Sequence, residues 1–318
     1  MIKDILNGYL KGKQTATQRA YTRAFKTWCN FNRIECEYRM LRNPKGMTYA
    51  IERVCERKVK SISKNQAIKY INSLQDRGLS DNTIRHAFFI LRTIHGFLYD
   101  MELTKRNPFS GIQNIISWRQ RREVRPTKLI PFDVVPLIIQ AAESSSDPVR
   151  NKALLCLLFG GGFRRSEVRC LRLCDILVSQ TGSLLIQVKG GKSGKVRYKS
   201  LPSWAWEAYS ELVQRRRKEG AKDTDYIFVS YYKSGSVKAS ILSESSFYRV
   251  YKKCCAMLGI DAGCHSARAT FATKLWHDGA REIEIADELG HGDLQMVGKY
   301  VKRHNLSLSK LGAKISFD

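Results

Sequence analysis

Apolar residues recur at helical spacing in three segments of the N-terminal third of the chain. Residues 15–31 begin at Thr15 and predict a helix with one apolar face: Tyr21, Ala24, Phe25, Trp28 and Cys29. A second helix ends at Gly78 and has its own apolar face: Ala67, Tyr70, Ile71 and Leu74. A third begins with Ser80 as N-cap, where Leu79 can pack against Ile84. Residues 32–60 are basic and poorly periodic, so the pattern predicts an all-helical N-terminal domain.

Beyond residue 126 the pattern predicts helices with one small sheet. Helical spacing is found in six segments: 133–142, 149–159, 203–217, 245–258, 267–278 and 281–289. Three glycines, 160–162, end the second of these helices. Residues 184–188 and 196–198 predict two strands joined by a turn. The predicted fold class is therefore mainly α with a small antiparallel β-sheet.

The segment between these halves, residues 118–126, has no apolar stripe and ends in Pro126. It predicts a linker between an N-terminal domain of residues 1–117 and a C-terminal domain of residues 127–318. Any linker is polar, but one this basic favours a path along a phosphate backbone. Its arginines are candidate DNA-binding residues: Arg119, Arg121, Arg122 and Arg125.

The charge balance narrows the class of partner. Lysine and arginine number 55 against 29 aspartate and glutamate, a formal net charge of +26. Such a surface repels itself unless a polyanion neutralises it, and nucleic acid is the usual polyanion. A membrane-surface protein would need a basic amphipathic helix or tail, whereas here the basic residues are spread along the chain. Nine cysteines at irregular spacing without a CxxC pair predict packing thiols in a reducing interior, and no zinc site.

The first candidate for chemistry follows the glycine run, in Gly162-Phe163-Arg164-Arg165-Ser166-Glu167. A glycine break that restarts a helix can expose backbone N–H groups to an anion. Arg164 is expected in the first turn, with Glu167 three residues on to hold its guanidinium or cap the helix. Taken alone, an arginine of this kind is more often an ordinary surface residue.

Two further motifs follow. In His265-Ser266-Ala267-Arg268, a spacing of three places the imidazole and the guanidinium on one helix face, so that Arg268 and Arg164 can fork around one phosphate. In the other, Tyr300 stands nine residues after His291. A tyrosine hydroxyl is a poor nucleophile at its usual pKa of about 10, but clamping arginines make a phosphodiester a suitable electrophile.

In this order the motifs resemble the signature of tyrosine site-specific recombinases, also called phage-type integrases. The signature is Gly-x-Arg-x-x-Glu, a lysine in a basic hairpin, His-x-x-Arg, Leu-Gly-His, and tyrosine nine residues later. Residues 78–84 at a helix start are similar to the family's core-binding domain. The resemblance implies a two-domain clamp, with a helical core-binding domain and a mixed α/β catalytic domain, and it makes residues 32–60 an insertion.

The resemblance also implies roles for the site residues. Arg164 and Arg268 would hold the scissile phosphate, His265 would assist proton transfer, and His291 would bond the phosphate. Lys192 would protonate the departing 5′ hydroxyl, with Lys189 and Lys195 as rivals, and Tyr300 would be the nucleophile. The hairpin departs from the family at Tyr198-Lys199-Ser200-Leu201-Pro202, where a shorter Val-Pro-Leu run is more frequent.

The implied enzyme is a DNA strand transferase that forms a 3′-phosphotyrosyl link and a Holliday junction, without metal, ATP or another cofactor. Its implied partners are double-stranded DNA with a recombination site, a homotetramer on two sites, and accessory DNA-bending proteins. We expect a cytoplasmic, nucleoid-associated protein without a membrane partner. Two alternatives stay open: a type IB topoisomerase or telomere-resolving enzyme with the same chemistry, and a DNA-binding regulator without catalysis.

Overall fold

The computed structural model describes residues 1–43, 46–114, 127–180, 182–189, 196–232 and 235–290. The chain divides into two compact units, Met1–Arg125 and Pro126–Asp318. The predicted linker, residues 118–126, lies outside the described residues.

Five helices and a hairpin form the described part of the first unit. The helices are α1 (Ile2–Lys11), α2 (Thr15–Phe31), α3 (Glu56–Ser61), α4 (Lys64–Asp76) and α5 (Asp81–Asp100). Three of them, α2, α4 and α5, match the predicted helices, and Ser80 caps α5 by accepting a hydrogen bond from the Thr83 N–H at 3.3 Å. The core is aromatic: the Trp28 ring lies 5.1, 5.9 and 5.0 Å, centroid to centroid, from the rings of Tyr70, His95 and Phe109.

The prediction that this unit is all-helical is wrong. Strands β1 (Cys36–Asn43) and β2 (Gly46–Val54) pair antiparallel within the basic stretch, with a bulge between Glu37 and Tyr38. At the base of this hairpin Ile51 is buried, whereas Met40 and Tyr49, farther along, face each other across the strands and are both exposed. The period of two that identifies a strand is present in Cys36, Tyr38 and Met40 and again in Met47, Tyr49 and Ile51, so the prediction missed a signal that the sequence carries. Helix α1 was not predicted either.

The second unit surrounds helix α7 (Pro148–Gly160), nearly all of which is buried. Two 3-10 turns, Phe132–Val134 and Ala141–Ser144, flank α6 (Val135–Gln140) in place of the one helix predicted over residues 133–142. After α8 (Arg165–Cys170) come strands β3 (Ile176–Val178), β4 (Leu184–Lys189) and β5 (Val196–Lys199), which form an antiparallel sheet in that order. The predicted pair of strands thus has a third member.

From residue 203 to residue 290 the described chain is mainly helical, with a second small sheet. Helix α9 (Ser203–Lys218) packs against α7, and strands β6 (Val229–Tyr231) and β7 (Val237–Ile241) pair antiparallel. Helices α10 (Glu244–Ala256), α11 (Cys264–His277) and α12 (Glu282–Leu289) follow. Within the described residues no helix is long and apolar enough to cross a membrane. All nine cysteines lie in described residues and are free thiols.

Candidate active site

A glycine turn connects α7 to α8 and positions the first candidate arginine. Gly162 has φ +58°, a conformation that side chains with a Cβ rarely adopt. A Cβ at Gly162 would lie 2.2 Å from the Phe271 ring, and one at Gly161 would lie 2.3 Å from the Phe163 ring. Glycine at both positions allows the chain to reverse tightly, since a side chain at either one would collide with a phenylalanine ring. Arg164, which follows the turn, is the N-cap of α8.

Arg164 and Glu167 are joined as the sequence predicts, by both expected contacts. The Arg164 Nη1 donates to Glu167 Oε1 at 2.7 Å, and the Arg164 backbone N–H donates to Oε2 at 2.7 Å. The Arg164 Nη2 also donates to the Gly290 carbonyl at 3.2 Å. The guanidinium is thereby fixed on two sides while part of it stays exposed.

Arg197 of β5 is a second residue that bonds this carboxylate, and the sequence motifs did not indicate it. Its Nη2 donates to Glu167 Oε2 at 2.8 Å. Burial acts to raise the pKa of Glu167, but the hydrogen bonds from Arg197 and Arg164 outweigh it and hold that pKa below its usual value. Glu167 is therefore an anion that orients two guanidinium groups.

Arg268 lies in the first turns of α11 and is 1% exposed. Its Nη1 donates to the Gly162 carbonyl at 2.6 Å, and its Nη2 donates to the Leu289 carbonyl. The Nη1 is also 4.0 Å from Glu167 Oε2. Arg268 thus bonds the glycine turn and the last residue of α12 at the same time.

Helix α12 ends where the predicted Gly290 stop places it. Gly290 has φ +62°, in the left-handed region, and a Cβ there would lie 2.9 Å from Arg197 Nη1. Three arginines therefore converge on residues 289–290: Arg268 on the Leu289 carbonyl, Arg164 on the Gly290 carbonyl, and Arg197 against the glycine itself.

His265, one helical turn before Arg268, completes the described part of the site. Burial lowers the pKa of the imidazole, and the charges of Arg268 and Arg164 lower it further. The neutral form, which can accept a proton, is therefore favoured at neutral pH. Arg164, His265 and Arg268 line one cavity of about 410 Å³, with Tyr248 and Cys264 also in its wall.

Lys199, the last residue of β5, is a buried cation beside this site that sequence reasoning missed. Its side chain is inaccessible, and its Nζ donates to the Gly161 carbonyl and to Glu288 Oε1, the latter at 2.7 Å. No sequence signal identifies it, because the burial of β5 is inverted relative to its polarity: Val196 and Tyr198 are exposed, and the charged residues Arg197 and Lys199 occupy the inward positions.

Several predicted site residues lie outside the described residues: Lys192, His291, Tyr300, Arg119, Arg121, Arg122 and Arg125. Of the two rivals of Lys192, Lys195 is also outside them, and Lys189 has its Nζ 3.0 Å from Asp175 Oδ1. Among the described residues no group of three or more His, Cys, Asp or Glu could hold a metal ion.

Fold and site together define a mainly helical protein with a cavity lined by two arginines and a histidine. Residues 128–306, more than half of the chain, match the sequence model of the phage integrase family. The chain belongs to this family, the tyrosine recombinases, which are enzymes of DNA strand transfer in site-specific recombination. The resemblance noted in the sequence is thereby confirmed.

Two curated relatives illustrate the relationship. The tyrosine recombinase XerD of Rhizobium meliloti is 30% identical over 241 residues, 73% of this chain and 73% of that protein. The XerD of Halalkalibacterium halodurans is 28% identical over 295 residues, which cover 91% of this chain and 88% of that protein.

Solved structures agree on the fold. The XerH site-specific recombinase bound to a palindromic difH substrate has a TM-score of 0.63 at 19% identity, over 80% of this chain and 74% of that chain. A lambda integrase dimer bound to a COC' core site has a TM-score of 0.64 at 16% identity, over 99% of this chain and 80% of that chain. The predicted fold class, mainly α with small antiparallel sheets in two domains, is confirmed.

Proposed function

We propose that this protein cleaves and rejoins duplex DNA at a specific site through a 3′-phosphotyrosyl link at Tyr300, in the integration, excision or resolution of DNA elements. The observation that carries the proposal is the cavity that brings Arg164, His265 and Arg268 together from two distant segments. Two guanidinium groups and a proton acceptor on one concave surface suit a phosphodiester, because its transition state carries more negative charge than its ground state.

The reaction needs one bond formed and one broken at phosphorus. The Tyr300 oxygen attacks, and its proton passes to the neutral His265. Arg164 and Arg268 stabilise the charge on the nonbridging oxygens, and His291 adds a hydrogen bond. The bond to the 5′ oxygen breaks, and Lys192 gives that oxygen a proton. A phosphodiester replaces a phosphodiester, so the new strand can be joined by the reverse reaction without an external energy source.

Chain connectivity supports adding His291 to this set. His291 is bonded to Gly290, whose carbonyl accepts a hydrogen bond from Arg164 at 3.2 Å. Gly290 is therefore the described residue that joins the arginines to the part of the sequence that carries His291 and Tyr300.

The assembly is proposed on the same basis. Solved relatives bind DNA substrates, as the XerH and lambda integrase complexes show for those proteins. We propose a homotetramer on two DNA sites that exchanges strands through a Holliday junction, with accessory DNA-bending proteins where the DNA path requires them. The proposed domains are residues 1–117 and 127–318, with residues 118–126 as a basic linker. Its arginines, Arg119, Arg121, Arg122 and Arg125, would follow the phosphate backbone.

The test uses DNA that the protein itself selects. A site is isolated from a pool of random duplexes by binding to the wild-type protein and is then built into a nicked duplex that traps covalent product. We expect a protein–DNA adduct with the wild-type protein and none with Tyr300→Phe, which retains DNA binding. Tyr232→Phe, at an exposed tyrosine of the same unit, is the matched control and should form the adduct.

Adduct formation by Tyr300→Phe would show that the nucleophile is a different residue. Wild-type binding without any adduct would instead favour a DNA-binding regulator. Efficient relaxation of a supercoiled plasmid that lacks the selected site would favour a topoisomerase.

A further inference from the structure

We propose that Lys199 is a positioning residue for the active site. Its buried ammonium connects the last turn of α12 to the glycine turn that precedes Arg164, and α12 is followed in the sequence by His291 and Tyr300. This inference rests on the proposed function, since it assigns Lys199 the task of placing the segment that carries the nucleophile.

The contacts of Lys199 connect three elements. From the end of β5, Nζ donates to the Gly161 carbonyl in the glycine turn and to the Glu288 carboxylate in α12, at 2.7 Å from Oε1. The rings of Phe163 and Phe271 lie 5.2 Å from Nζ and close the site from solvent. Lys199 itself is 1% exposed. The ammonium therefore has defined partners in a desolvated place, where a charged hydrogen bond is strong and directional.

Lys199 and Arg268 both connect the glycine turn to α12, and the partners of Lys199 lie one residue earlier in each of these two elements. Arg268 bonds the carbonyls of Gly162 and Leu289, and Lys199 bonds the carbonyl of Gly161 and the side chain of Glu288. Two adjacent residues of the turn are thus joined to two adjacent residues of α12 by two cations. Such a double connection restricts sliding and rotation of α12 relative to Arg164, which a single contact would allow.

Stability alone does not account for a lysine at this position. Burying an ammonium costs several kcal/mol of desolvation, and replacing a buried ion pair by apolar side chains is often neutral or stabilising. The neighbourhood is suited to an apolar residue, since two phenylalanine rings already flank the site. Placement of α12 does account for it, because active-site geometry displaced by about 1 Å can cost a hundredfold in rate.

The charge of Lys199 gives the bridge a pH dependence. Burial lowers the pKa of Lys199 to about 8, Glu288 opposes this shift, and the nearby charges of Arg197 and Arg268 add to it. Below this value the ammonium holds the Glu288 carboxylate as an ion pair. As the pH rises through about 8 the charge is lost, the bridge weakens, and DNA cleavage should slow.

The experiment measures the single-turnover rate of adduct formation on the selected nicked duplex between pH 6.5 and pH 9.5, together with DNA affinity. We expect Lys199→Met to slow adduct formation roughly tenfold to a hundredfold at pH 7 with unchanged DNA affinity, and to lose the alkaline decline. Glu288→Gln removes the group that raises the pKa of Lys199. The alkaline decline in the rate of adduct formation should therefore begin at a lower pH in this variant than in the wild type. Lys152→Met, which removes an exposed ion pair with Glu143, should retain the wild-type rate and profile.

The double variant Lys199→Met/Glu288→Leu separates positioning from folding. It removes both charges of the pair, in which Lys199 is buried and Glu288 is half-buried, so it should melt at or above the wild-type temperature and still cleave slowly. A double variant that folds and cleaves at the wild-type rate would overturn the inference, as would an unchanged rate and pH profile in Lys199→Met. If the wild-type protein forms no Tyr300-dependent adduct, the proposed function fails and this inference fails with it. A normal wild-type adduct with unaffected variants overturns the inference alone.

Discussion

The two units of this chain bury different kinds of side chain. Among the described residues of the first unit the buried polar groups are Thr22, His95 and Thr104, none of which is charged at neutral pH. The second unit buries seven ionisable charged residues in its described part: Asp147, Arg150, Glu167, Asp175, Lys199, Arg216 and Arg268. Three of these, Glu167, Lys199 and Arg268, surround the glycine turn.

Apolar packing thus holds the first unit together, whereas the second unit also buries charges and contains the candidate active site. Apolar and aromatic burial stabilises the first unit by about 25 cal/mol for each Å² removed from water, and it needs no exact charge balance. Buried ion pairs contribute little net stability, because desolvation offsets most of their attraction. Three of the seven lie beside the candidate active site, and we infer that these three serve its geometry; each of the following predictions tests this contrast between the units.

The largest effect on stability is expected in the aromatic core of the first unit. Trp28→Ala removes a fully buried indole that contacts three other rings, and it should cost about 3–5 kcal/mol of unfolding free energy. Hydrogen exchange of peptides from residues 1–114 measures this loss in the affected unit. Phe89→Ala, at an exposed ring, is the control and should cost about 1 kcal/mol or less. Equal losses in the two variants would show that Trp28 is not central to the core.

Acid should weaken the first unit through His95, the next largest effect. Burial lowers the pKa of His95 to about 3, and neither ring nitrogen has a hydrogen-bond partner among the described residues. The unfolded chain binds a proton near pH 6.5 and the folded unit does not, so stability is lost as the pH falls below 6.5. At about 1.4 kcal/mol per pH unit, the loss between pH 6.5 and pH 4 is about 3 kcal/mol.

His95→Leu tests this expectation, because leucine has no proton to gain. We measure the unfolding free energy at pH 7 and at pH 4 by hydrogen exchange of peptides from residues 1–114. The loss of unfolding free energy between these two pH values should be about 3 kcal/mol smaller in the variant than in the wild type. An identical difference in the two proteins would mean that His95 takes up its proton in the folded state.

Local spacing predicted the parts of the structure that lie within one helix or one turn. The contacts of Arg164 with Glu167, and the shared cavity wall of His265 and Arg268, follow from a separation of three residues at a helix start. Helices with full apolar faces, such as α4 and α5, were predicted for the same reason.

Contacts between distant segments could not be predicted in this way. Arg197 reaches Glu167 across 30 residues, and Lys199 reaches Glu288 across 89. Strand β5 presents its apolar residues outward, so a pattern that assigns apolar residues to the core places its two cations on the wrong face. The hairpin of β1 and β2 escaped prediction although its apolar residues alternate, because the sequence between the two strands has no Asn-Gly or Asp-Gly pair to mark a hairpin.

The smallest effect tests whether the buried charges of the second unit act mainly on geometry. Glu167→Gln keeps the shape of the side chain but removes the charge that Arg164 and Arg197 share, at an expected cost of about 2 kcal/mol at pH 7. Because the folded pKa of Glu167 lies below its usual 4.5, its contribution is present above that pH and is lost as the pH falls through the folded value. The difference in unfolding free energy between wild type and variant, measured by hydrogen exchange of peptides from residues 127–290, should therefore become smaller at acid pH.

The control is Glu244→Gln, which alters an exposed carboxylate that pairs with Arg165 and Arg169 and should cost less than about 1 kcal/mol. A difference for Glu167→Gln that equals this control and does not change with pH would show that the Glu167 charge contributes no more than an exposed one, and the role of buried charge at the candidate active site would then rest on Lys199 and Arg268.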